Sequence, residues 1–127
     1  MSDIVQDYLR RRNYADHVVR GGLDWLVHSW EHVVASVVAG EAQYRDDYMN
    51  DMDGRRILEE ALGIAPPAER KMWLPRVRAA DERIRPHLIS CEECLWGDEN
   101  ATKYGYTREH DWWYYHRPDL GFADYGR

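Results

Sequence analysis

Cysteine is scarce in this chain: Cys91 and Cys94 are the only two, three positions apart. So sparse a pair cannot supply the disulfide framework of a small secreted domain, and it suits a reducing compartment. No stretch approaches the roughly 18 consecutive apolar residues of a membrane span. The opening MSDIVQDYLRRRNYAD puts no apolar region behind a basic start, so neither a membrane segment nor a secretory leader is expected. An excess of cations is missing as well. Lys and Arg number 17 against 23 Asp and Glu, a formal net charge of −6, which argues against direct binding to nucleic acid, where basic side chains must gather on phosphates. No glycine-rich phosphate loop is present, and Ser2, Ser29, Ser36 and Ser90 lack a nucleophile-elbow context. Repeats and low-complexity segments are also lacking. These absences leave a cytoplasmic protein, and 127 residues at 44% hydrophobic content fit one domain, 1–127, with a single core.

What the chain does have is helical periodicity. Over residues 23–38, LDWLVHSWEHVVASVV, the apolar residues Leu23, Leu26, Val27, Trp30, Val33, Val34, Val37 and Val38 fall on one face at 100° per residue, which predicts a central core helix. Residues 3–19 read as a preceding helix with Ser2 as its cap, and Gly21-Gly22 as the turn between the two. A third helix is expected to begin between Tyr44 and Asp53, with Ile57, Leu58, Ala61 and Leu62 on its inner face. Leu62-Gly63-Ile64 and Pro66-Pro67 should stop it, glycine serving as the cap. Pro75 is expected to divide the next helical stretch, one piece ending near Trp73 and another running over 75–85 with Leu74, Val77, Ala80 or Asp81, and Ile84 inward.

After Pro86 this periodicity fades and nine aromatics appear: Trp96, Tyr104, Tyr106, Trp112, Trp113, Tyr114, Tyr115, Phe122 and Tyr125. Trp and Tyr favour extended structure, so residues 112–115 read as a short strand paired near Leu95-Trp96; the alternative is the last turn of a helix capped by Thr107. The fold class is therefore mainly α: a small bundle of about four helices over 1–88, with an aromatic-rich, partly extended segment, 89–127, packed on it. The side of the central helix that shows Trp25 is the expected seat of that segment.

Three motifs invite a metal reading. His28-x-x-Glu31-His32 matches the inverted zincin pattern, in which two histidines on one helical face bind zinc and the glutamate activates water. Glu109 lies about where insulinase-like peptidases, which this five-residue stretch resembles, place a third ligand; those enzymes, however, use much larger mixed α/β domains. His28 and His32 also fall roughly opposite the apolar stripe, where such pairs are usually polar surface. His87-x-x-x-Cys91-x-x-Cys94 could supply three zinc ligands, with His110 or His116 as a fourth. Asp51, Asp53, Gly54 and Glu60 mimic positions of a calcium loop, but Met49 stands at its first ligand position. Neither a metal nor a cofactor is expected from these fragments.

Charge gives the functional expectation. Between Glu41 and Glu60 seven acids face three bases, while between Glu69 and Arg85 six bases face three acids. An acidic stretch of this kind steers basic surfaces toward it. The expected function is a protein-binding module, an inhibitor, immunity-type protein or adaptor, with Tyr44, Asp46, Asp47, Tyr48, Asp51, Asp53, Glu59 and Glu60 as binding residues and exposed Tyr44 and Tyr48 as anchors. Its partner would be a protein with a basic surface, such as a nucleic-acid-acting enzyme. The competing expectations are that Arg76, Arg78, Arg83 and Arg85 already neutralise these acids, and that the chain is a small zinc protein or zinc hydrolase using His28, Glu31 and His32 or His87, Cys91 and Cys94.

Overall fold

The computed structural model describes residues 3–124; Ser2 and Tyr125, named above, lie outside them. Five α-helices and one two-stranded sheet make up the described chain. The first helix is shorter than its periodicity suggested. α1, Asp3–Arg11, stops where Asn13 adopts φ +61° and the Leu9 carbonyl accepts from both Arg12 and Tyr14 amides. Asparagine is one of the few residues besides glycine that tolerates this left-handed conformation. The helix resumes as α2, Asp16–Val38, and is sharply kinked at Gly22 (φ +57°, ψ −138°). The expected turn is thus one glycine wide, inside an element rather than between two.

Beyond the kink α2 takes the central place its apolar stripe required. Leu23, Leu26, Val27, Trp30, Val34 and Val37 are buried, and α2 packs on α1, α3 and α4. α3, Arg45–Ile64, begins with Asp46 and Asp47 in its first turn, where the positive end of the helix dipole favours them. Tyr48, Met49, Met52, Ile57, Leu58, Ala61 and Leu62 form its inner face.

Gly63 does not cap α3; it stays helical, and the helix ends at Ala65, which is extended because Pro66 follows it. The last carbonyls are taken instead by one side chain, Arg70, which donates to Leu62, Gly63 and Ala65 at 2.8–3.0 Å. α4, Pro67–Ile84, opens with proline at its first position and runs unbroken through Pro75, against the expected division. Pro75 and Lys71, the residue whose carbonyl loses its helical donor, are both exposed, so water can satisfy that carbonyl.

The aromatic segment is less extended than its composition implied. Trp112–Tyr115 form a 3-10 turn, not a strand, and the pairing lies one step later: β2, His116–Pro118, runs antiparallel to β1, Leu88–Ser90. The neighbourhood of Leu95 is still close, because its amide donates to the Tyr114 carbonyl and that of Cys91 to Tyr115. Between the strands α5, Asp98–Tyr104, closes on Gly105 in the left-handed conformation (φ +74°). Residues 112–115 pack on α3, and none of them lines the hollow beside Trp25. No described helix is long and apolar enough to cross a membrane.

Candidate binding site

The inner face of α3 carries one charge as well as apolar residues. Arg55, only 4% exposed, donates from Nε and Nη2 to the two Asp81 oxygens of α4 (3.0 and 2.8 Å) and from Nη1 to Glu59 (2.9 Å). Trp30 of α2 donates its indole N–H to the same Asp81, 2.9 Å away. The guanidinium also lies 4.7 Å from the ring centre of Trp113 and 5.8 Å from that of Trp30. A buried cation needs this much compensation, since an unpaired one costs several kcal/mol. Three helices and the 112–115 turn are thereby tied to one point. Two carboxylates on one guanidinium leave the cluster a formal net negative charge, and Glu59 is the more exposed of the two.

The outer flank of α3 meets α5 and the chain after it. Asp53 accepts from the Trp96 indole (3.1 Å) and from the Tyr114 hydroxyl. Burial, together with that bond, pushes the Tyr114 phenol far above its ordinary pKa. Two turns on, Glu60 accepts from Tyr8 (2.6 Å), Arg12 (3.0 Å) and Arg56 (3.1 Å). Burial first and Glu60 second likewise raise the Tyr8 pKa.

Rings stack outward from this base. Tyr106 lies 4.5 Å from Tyr114, and Tyr104 lies 5.8 Å from Tyr106, stacked on it at an interplanar angle of 29°. Arg56 reaches over Tyr106 at 5.5 Å. Tyr104 is 57% exposed. It and Tyr106 border two adjoining hollows, one of about 260 Å³ with Glu59, Glu60 and Asp111 in its wall, the other of about 360 Å³ with Asp53 and Trp96. The arrangement is an aromatic step flanked by carboxylates, a surface suited to gripping cationic side chains.

The acids and tyrosines proposed from sequence do not lie together. Asp46 and Asp47 are exposed and form no ion pair among the described residues. Asp53, Glu59 and Glu60 flank the aromatic step and also hold the fold. Tyr48 is fully buried against Phe122 and cannot be the exposed anchor expected of it. Tyr48 and Met52, four residues apart, both lie on the inner face of α3. Tyr44 is half-buried and bridges to Ala123. Asp51 lies on the opposite flank, toward α2.

The arginines that balance these acids are not the α4 set. Arg12, Arg55 and Arg56 pair with Glu59 and Glu60, whereas Arg76 pairs with Glu31 and Arg85 lies over Trp112 at 4.1 Å. Sequence reasoning missed Tyr104 and Tyr106 as site residues. The signal for them is Tyr104-Gly105-Tyr106, where the left-handed glycine ends α5 and brings the flanking rings together.

The metal candidates are occupied otherwise. Arg76 donates to both Glu31 oxygens and lies 3.5 Å from His28 Nε2, while His28 Nδ1 is 2.7 Å from Asp24. Glu31 and His28 are thereby committed to Arg76 and Asp24. Cys94 is buried, and burial raises its thiol pKa, away from the thiolate that a metal or redox role requires. His110 and His116 turn to Asp111 and to the Trp112 carbonyl. Asp51, Asp53 and Glu60 all lie within continuous helix, so no calcium loop exists. Among the described residues no three His, Cys, Asp or Glu side chains are grouped to hold a metal. No protein-family model, no curated protein and no solved structure matches this chain.

Proposed function

We propose that this protein is a cytoplasmic binding module of the inhibitor, immunity or adaptor kind, which occupies a basic surface of a partner protein through the flank where α3 meets α5. One observation carries the reading: Tyr104 is largely exposed yet already fixed by stacking on Tyr106, which in turn packs on buried Tyr114. A large ring held in place before binding loses little freedom on contact, which is the property of interface anchors. Glu59, with the net negative charge of the Arg55 cluster behind it, and the unpaired Asp46 and Asp47 supply the steering field. Partner arginines or lysines would meet both the ring and the carboxylates. An enzyme acting on nucleic acid offers such cations, and the carboxylates would take the place of its phosphates.

The test is affinity capture from the source cell, followed by binding kinetics with the captured partner. Tyr104→Ala should weaken binding by about 30-fold or more, as for an anchor worth about 2 kcal/mol. Raising salt, or reversing charge with Asp46→Lys and Asp47→Lys, should slow association more than it speeds release. Binding that ignores Tyr104→Ala and is insensitive to salt would remove this flank from the interface.

A further inference from the structure

On the opposite flank of α3, facing α2, lies a third hollow of about 370 Å³, at the lower end of the size range of small-ligand sites. Trp25, Trp30 and Tyr14 line it together with the apolar side chains of Leu26 and Val33. Three charged residues also reach it, and two are already balanced. Arg55 is held by Asp81 and Glu59, and Asp53 accepts from Trp96 and Tyr114. Asp51 is the exception. Its half-buried carboxylate has no hydrogen-bond or ion-pair partner among the described residues; Asp47 on its own helix repels it, and only His32 of α2 acts in its favour. Such a carboxylate calls for a cation. A hard metal ion would want several carboxylate oxygens, and Asp51 is the one uncommitted carboxylate in a lining whose other free oxygens belong to the neutral Tyr14, Ser29 and Asn50. Aromatic walls and an apolar floor instead suit a cation that carries carbon.

We propose that this hollow binds an alkylammonium ion, with Asp51 as counter-ion and Trp25, Trp30 and Tyr14 as its aromatic walls. Two sources share that chemistry, a small organic cation and a lysine side chain. The site shares Asp53 with the wall beside the tyrosine step but none of its rings, and does not depend on the function proposed there.

The test titrates the full chain with choline and with Nα-acetyl-lysine amide, following the Trp25 indole signal by NMR. The control is 3,3-dimethylbutan-1-ol, the uncharged isostere of choline. At least one cation should saturate the signal and the alcohol should not; choline alone would identify a small organic cation, the lysine amide a protein side chain. Asp51→Asn should weaken the binding at least tenfold. Gly54→Leu should abolish it, because Gly54 lines the hollow in helical conformation and a Cβ there meets nothing within 4 Å. Tyr104→Ala should leave it unchanged. Saturation by neither cation, equal binding of the alcohol, or indifference to Asp51→Asn overturns the proposal.

Discussion

Gly22 sits at φ +57° and ψ −138°, backbone angles that glycine reaches and other residues almost never do, whereas Gly54 lies in mid-helix with open space where a side chain would start. Alanine should therefore act oppositely at the two positions. Gly22→Ala is expected to lower stability by about 1–3 kcal/mol through backbone strain alone. Gly54→Ala should raise it by about 0.4–1 kcal/mol, by restricting the unfolded chain. Urea unfolding of both variants checks the pair, and a destabilised Gly54→Ala would show that its helix is not as described.

Asp51 makes a second prediction at this scale. Desolvation first, and Asp47 second, raise its pKa from 3.8 to about 6, against the pull of His32. The folded protein thus holds the Asp51 proton more tightly than the unfolded chain does, so ionisation penalises the fold above about pH 6. As pH falls from 6 to 4 that penalty fades. Asp51→Asn should stabilise the protein by about 1 kcal/mol at pH 7.5, allowing for solvent screening of a half-exposed group, and by nothing near pH 4. Melting temperatures of variant and parent at the two pH values decide this, since the other titrating groups cancel in the difference. An equal gain at both would assign the effect to packing.

Among the elements, α3 is held by polar pairs that sequence periodicity does not reveal. Asp81→Ala should cost about 3–5 kcal/mol, because it leaves Arg55 buried without its forked partner. Arg55→Met combined with Asp81→Leu should recover most of the loss, and a double-mutant cycle measures the difference. If the double variant is no better than the single, the ion pair is not what holds the helices. Apolar stripes were legible because they follow from local spacing alone: Leu23 to Val37 and Ile57 to Leu62 face inward as read. Helix ends were not, because distant groups settle them. The carbonyls at the end of α3 are satisfied by Arg70, and Pro75 is tolerated because its side of α4 faces water. The same blindness hid the tyrosine step. Tyr104 matters only because a left-handed glycine sets it against Tyr106, and Tyr106 against Tyr114.

For the whole molecule, the aromatic segment behaves as core. Trp113 and Tyr114 are fully buried, and rings of this size each cover about 150–250 Å², worth several kcal/mol at about 25 cal/mol per Å². A chain ending at Tyr106 should be severely destabilised or should aggregate, as judged by its melting transition and by light scattering. Unchanged melting would mean that the helices stand alone and that the aromatics serve only as surface. The segment's seat on α3 has a further consequence during synthesis. Asp53 must wait 61 residues for Tyr114, and the cation at Arg55 must wait for Trp113. At about 5–20 residues per second, a ribosome needs roughly 2–6 s to pass from the end of α4 to Tyr115. Throughout that interval Arg55 has its carboxylates but not the Trp113 ring, and Asp53 lacks the Tyr114 hydroxyl. A protease or chaperone that acts within those seconds would meet the protein in that half-made state.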